Sequence, residues 1–250
     1  MAASREKGLE KRFDTTSWSL VALLNGPEES RRYQEALHSL CERYWPPVYA
    51  YLRRSGHSPD AAADITQGFF TDVVFSRRLF QRADRNRAKL RTLIIAALKR
   101  YCIDVHRHKR AGIESLVLTS KDVSEQEAFL SASTEMSPES LFDQRWAVRL
   151  LEEAIVRCEQ HFRRSGKASH WEAYVQRVVN PSVHGTASRP MEEMAKDLGF
   201  ANANAVSSAL FVVKERLMAL LRDVVADHNV NEDDIDAEFA YLSELLSRSR

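Results

Sequence analysis

Glycine and proline are scarce, at eight and seven in 250 residues, which argues against the turn-rich chain of an all-β sandwich or barrel. Cysteine is scarcer still. Cys41, Cys102 and Cys158 lie far apart, odd in number and without a C-x-x-C pair, so they read as buried thiols of a reducing compartment rather than a disulfide framework. Long apolar runs are missing too: Leu93 to Leu98 falls far short of the roughly 20 residues that span a bilayer, and no membrane insertion is expected. Met1 to Arg12 is charged and has no apolar signal-peptide centre, which makes the cytoplasm the expected location. The sequence contains no G-x-x-x-x-G-K-[ST], G-x-G-x-x-G or G-x-S-x-G. His106 and His108, two residues apart, point about 200° apart on a helix and cannot share a metal. Glu192-Glu193 and Asp233-Asp234 are explained as a helix N-terminal acidic pair and a solvated tail. No catalytic constellation, metal or cofactor is expected, and the chain reads as something other than an enzyme.

What is present is charge, unevenly spread. The net charge is +1, yet Arg77 to Arg110 carries twelve Lys/Arg against Asp84 and Asp104, a local excess of ten positive charges. Ala226 to Arg250 carries seven acids against two arginines. Such polarisation points to a polyanion-binding segment and a separate acidic one.

Helical periodicity runs through every segment where a period can be read. A short helix is expected over about Thr16 to Leu24, stopped by Gly26-Pro27. An amphipathic helix follows over Tyr33 to Arg54, bent or split by Pro46-Pro47. Ser58-Pro59-Asp60 starts another, with Ser58 as N-cap and Pro59 at the first helical position. A basic loop, Arg82 to Lys89, leads into a helix from Leu90 to about Lys109. The pattern breaks down over 111–139, which reads as a flexible linker. Beyond it come helices over Leu141 to Arg163, Trp171 to Val179, Met191 to Leu198 and roughly Asn204 to Val225. Asn231 to Leu246 places Ile235, Phe239, Leu242 and Leu245-Leu246 at helical spacing; this acidic helix either folds back on the basic lobe or completes the core of the second lobe. The expected fold is all-α: two helical domains, 1–110 and 140–226, joined by the linker 111–139 and followed by an acidic extension, 227–250.

Two constellations bear on function. Met191 to Phe200 forms a short helix with the small Ala195 on its inner face, ended by Gly199 in a left-handed C′ position; a brief turn leads to a helix whose Val206, Leu210 and Val213 face inward. That is helix-turn-helix geometry, or else an αα-hairpin without DNA contact. Its outward polar residues are Asn202, Asn204, Ser207, Ser208 and Lys214. The second constellation is the basic segment, where Arg and Lys alternate with Phe75, Leu79, Phe80, Leu90, Leu93, Ile94 and Tyr101. Cations along a loop and helix neutralise phosphates, and neighbouring aromatics suit unstacked bases. A solvated helix face is the alternative, though solvated faces normally mix signs.

Asp60-Ala61-Ala62-Ala63-Asp64-Ile65-Thr66-Gln67-Gly68-Phe69-Phe70 resembles the second conserved region of extracytoplasmic-function (group IV) sigma factors of bacterial RNA polymerase. That resemblance implies binding of core RNA polymerase through Asp60, Asp64, Gln67 and Phe70. Arg91 to Arg110 is similar to the family helix that melts and reads the −10 element, with Asp104 and Arg107 matching its Asp-x-x-Arg; Asp84 to Leu90 corresponds to the loop that captures a flipped base. Arg85, Asn86, Arg87, Lys89, Arg91, Lys99, Arg100, Arg107, Lys109 and Arg110 are the residues this implies for −10 promoter DNA. Met191 to Leu221 resembles the family's helix-turn-helix for the −35 element, which implies DNA contacts from Asn202, Asn204, Ser207, Ser208 and Lys214. An anti-sigma factor or other regulator is a further partner of the kind the family takes. Leu93 stands where the family places an aromatic residue, and Ser207-Ser208-Ala209 where it usually places basic ones. The similarity covers most of 13–225. A conventional helix-turn-helix regulator, and a helical adaptor that has lost DNA binding, are the alternative functions.

Overall fold

The computed structural model describes residues 17–76, 78–83, 89–108, 136–184, 187–226 and 232–247. Its elements are all helical, with no strand among the described residues. The chain divides into two compact units, one made of 1–149 with 225–250 and the other of 150–224. The division differs from the expected domains. The start of the long helix at Pro138, and the acidic C-terminal helix, belong with the first unit. The linker residues 111–135 lie outside the described residues.

In the first unit, α1 (Ser17–Leu23) is followed by α2 (Arg31–Arg54). Ser30 caps α2 by accepting the Tyr33 N–H at 3.2 Å. Pro46 and Pro47 do not split α2: the helix runs through both, and both are buried. Removing two backbone donors is tolerated because Leu40, Tyr44, Val48, Tyr49 and Leu52, each at 0% exposure, hold the flanking turns in the core. α3 (Pro59–Gly68) starts at the expected signal, with Ser58 Oγ accepting the Ala61 N–H at 3.3 Å. It runs straight into a π-helical stretch, Phe69–Ser76. Phe69 is fully buried and meets Phe70 and Tyr101 edge-on, at 5.6 and 5.9 Å between ring centroids. At Gly68 a Cβ would collide with the Tyr101 hydroxyl, so glycine is what lets α4 (Leu90–His108) approach here. α4 turns Leu90, Ile94, Leu98 and Tyr101 inward, a spacing that follows the helical period.

α5 (Pro138–Arg164) is capped by Ser137, whose Oγ accepts the Ser140 N–H at 3.1 Å. Its first turns bury Leu141, Phe142 and Trp146. The second unit adds α6 (Ala168–Tyr174) with a π turn over Val175–Val179, then α7 (Asn180–His184), α8 (Met191–Leu198) and α9 (Ala203–Ala226). Ala173, Met194, Ala195 and Val206 form a compact buried cluster with Met191, Leu198, Phe200 and Leu210 packed around it. α8 ends at Gly199 with φ 75°, the left-handed conformation expected from the sequence. The last helix, α10 (Glu232–Ser247), buries Glu238, Leu242 and Leu245 within the first unit. No described helix is long and apolar enough to cross a membrane.

Candidate nucleic-acid and partner interfaces

α3 carries its acids outward. Asp60 and Asp64 are exposed and Gln67 is half-buried, while Ala62, Ile65, Thr66 and Phe69 face the core. Phe70, expected on the outward face, is instead 5% exposed. It shares the inward stripe of Thr66 and Val73 and cannot meet a partner there. The aromatic that stands out of this segment is Phe75, 44% exposed, near the end of the π-helical stretch.

Lys89, Arg91 and Lys99 of the basic segment are engaged by acids of the same unit. Lys89 pairs with Glu238 of α10. Arg91 lies 3.0 Å from Glu238 and 3.3 Å from Asp143 of α5. The Arg91 guanidinium also sits over two rings, 4.9 Å from Trp146 and 5.3 Å from Tyr241. Tyr241 donates to Asp143 Oδ2 at 2.7 Å. Lys99 pairs with Glu139 at 2.7 Å. Of the ten residues expected to meet −10 DNA, Lys89, Arg91 and Lys99 therefore carry acidic partners, and Arg100 is exposed. Arg107 is on α4 with no description of its side chain; Arg85, Asn86, Arg87, Lys109 and Arg110 lie outside the described residues.

Burial and hydrogen bonding shift the charge states here. Desolvation raises the Asp143 carboxyl above the ordinary range, outweighing the opposing pull of Arg91. Burial and the hydrogen bond to Asp143 push the Tyr241 phenol to about 12. The hydrogen bond from Lys99 holds Glu139 below its usual range, and the same bond raises Lys99. Burial pushes the Cys41 thiol to about 12 and Cys158 to about 11, so neither is a poised nucleophile. Only Cys158 of the three cysteines is fully buried. Among the described residues, no group of three His, Cys, Asp or Glu side chains is arranged to hold a metal.

In the second unit, α8 and α9 are joined by a turn over Gly199–Asn202. Asn202 works as a cap: its Oδ1 accepts the Ala205 N–H at 2.9 Å. Ser208 Oγ donates to the Asn204 carbonyl at 3.0 Å. Asn204, Ser207, Ser208 and Lys214 are all exposed, while Val206, Ala209 and Val213 are buried behind them. Leu210 is half-buried. The same exposed side carries Phe211 at 63% exposure, which polar-residue reasoning passed over. Arg189 anchors the approach to α8 through Asp197 at 2.5 Å and Gln176 at 2.8 Å.

Asp143, Trp146, Glu238 and Tyr241 were also not among the expected site residues. A signal for Glu238 was present. It falls on the apolar stripe of α10, three residues after Ile235 and four before Leu242, where a solvated acid does not belong. Comparison with family models, with curated proteins and with solved structures finds no match to this chain.

Proposed function

We propose that this chain is a transcription initiation factor of the sigma type, a DNA-binding protein that works in the cytoplasm by recruiting core RNA polymerase to promoters. The observation that carries the reading is the α3 face. Asp60, Asp64 and Gln67, at positions i, i+4 and i+7, stand out from a helix whose opposite side is core. These are among the residues that the sequence resemblance gives to polymerase binding; Phe70, which it also gives, is buried, and Phe75 is the exposed aromatic of the stretch that follows α3. Two further features support it. α8 and α9 have the inner small residue, left-handed glycine and exposed polar outer face of a helix-turn-helix, and α4 follows a strongly basic stretch. The exposed residues Asn204, Ser207 and Lys214 would meet duplex DNA. Asn202 serves mainly to fix the start of α9.

Pull-down with purified core polymerase tests the proposal. Asp64→Lys with Gln67→Ala is expected to abolish capture while leaving helical content intact. Full retention of polymerase by that variant would remove the reading.

A further inference from the structure

α10 carries six acids and no base between Glu232 and Ser247, and its buried Glu238 is set against two cations of the basic segment. The Glu238 side chain is 3% exposed and the Arg91 side chain 13%. Around the same guanidinium, Trp146 comes from α5 and Tyr241 from α10. Glu238 and Tyr241, three residues apart on one helix face, thus present a carboxylate to Lys89 and Arg91 and a flat ring to Arg91. A nucleotide of single-stranded nucleic acid presents the same two groups, a phosphate for cations and a base for stacking. We propose that Lys89, Arg91 and Trp146 form a nucleotide-binding subsite for single-stranded DNA, and that α10 occupies it as a tethered mimic, with Glu238 in place of the phosphate and Tyr241 in place of the base. The proposal rests on the initiation-factor reading and adds its regulation.

The packing of this contact fits an exchangeable plug better than a bolt. Glu238 Oε1, Asp143 Oδ1 and Arg91 Nη1 are buried at ion-pair distances without an aligned hydrogen bond. A buried ion cluster that is only partly hydrogen-bonded adds little net stability over its desolvation cost. Specificity of placement comes instead from tethering: α9 ends at Ala226 and α10 begins at Glu232, so the mimic stays at high local concentration. A longer polyanion, holding several phosphates at once, competes by releasing its counterions.

The test measures anisotropy of a fluorescein-labelled, mixed-sequence 20-nucleotide single strand with the full chain at several salt concentrations. Glu238→Gln keeps the shape and removes the charge. Asp143 stays against Arg91, so one net positive charge is uncovered, and the log K against log salt slope is expected to steepen by about 0.7, making the gain in affinity roughly 2.6-fold larger at 50 than at 200 mM salt. Adding Lys89→Gln to Glu238→Gln should return the slope by about 0.7. A blunt duplex of the same length should gain less than the single strand. An unchanged slope in Glu238→Gln, or an equal gain on the duplex, overturns the proposal. If Glu238→Gln fails to fold, amide exchange across Glu232–Ser247 in the unaltered chain decides: the single strand should speed it, and unchanged protection overturns the plug. Polymerase capture by the unaltered chain is read in parallel. Lost capture with a retained oligonucleotide gain would sink the initiation-factor reading alone, and the reverse would sink the plug alone.

Discussion

Replacing Arg91 by Met removes the cation from the centre of a buried cluster while keeping most of its apolar volume against Trp146. Glu238 is then left with Lys89, and Asp143, whose side chain is 18% exposed, loses its arginine. Breaking a buried pair from one side costs about 3 to 5 kcal/mol, because the surviving charge stays desolvated. Lys89 still compensates Glu238 in part, so the lower end applies, about 3 kcal/mol. For a unit of this size that lowers Tm by about 6 to 12 °C. The pH dependence carries the sharper signature. Asp143 already has a raised carboxyl pKa, and Arg91 is among the groups that pull it down. Without Arg91 the folded state holds a proton on Asp143 to still higher pH than the unfolded chain does. The variant should therefore recover stability as pH falls from neutral toward the carboxylate range, and lose it as pH rises. Urea melts followed by tryptophan fluorescence suit the question, since Trp18, Trp45 and Trp146 lie in the first unit and Trp171 in the second. A loss below about 1 kcal/mol, or a pH profile parallel to that of the unaltered chain, would refute the reasoning.

Gly68→Ala gains about 1 kcal/mol of helix propensity yet drives a Cβ into the Tyr101 hydroxyl, which donates to Asp72 Oδ2 at 3.1 Å. A net loss of about 1 kcal/mol is expected in thermal melts, recovered when Tyr101→Phe is added; no recovery would place the strain elsewhere. His170 stacks on Phe162 and lies 5.4 Å from Phe200, and both burial and Lys167 lower its pKa below the ordinary 6.5; His161 is lowered for related reasons. The unfolded chain takes up these protons first, so stability of the second unit, full above the ordinary histidine range, should fall as pH drops through it. Trp171 fluorescence in urea at pH 7.5 and 5.5 checks this, and equal midpoints would contradict it. Gly199→Ala places a side chain at φ 75° with open space around it, so its cost is conformational, about 1 kcal/mol, and lost cooperativity or a much larger drop would contradict that account.

Local signals were legible in the sequence because local chemistry decides them. Ser58 before Pro59 marks a helix start whatever surrounds it, and Gly199 marks a stop for the same reason. Pro46-Pro47 misled because a local cost was overruled by a continuous buried stripe from Leu40 to Leu52. Phe70 could have been placed correctly by counting: Ala62, Ile65-Thr66, Phe69-Phe70 and Val73-Val74 recur at helical spacing as one inward stripe, which a family role assigned to Phe70 obscured. The engagement of Lys89 and Arg91 was beyond local reasoning. Their partner Glu238 is 149 and 147 residues away, and a run of positive charge reads the same whether its counter-charges are phosphates or a distant helix.

A first unit assembled from 1–149 and 225–250 has a consequence for synthesis. The whole of 150–224 leaves the ribosome before α10 does. At about 5 to 20 residues per second, the 147 residues between Arg91 and Glu238 take about 7 to 30 s to make. For an interval of that length the nascent chain displays Lys89 and Arg91 without the helix that later covers them, beside the phosphates of the ribosome's own RNA.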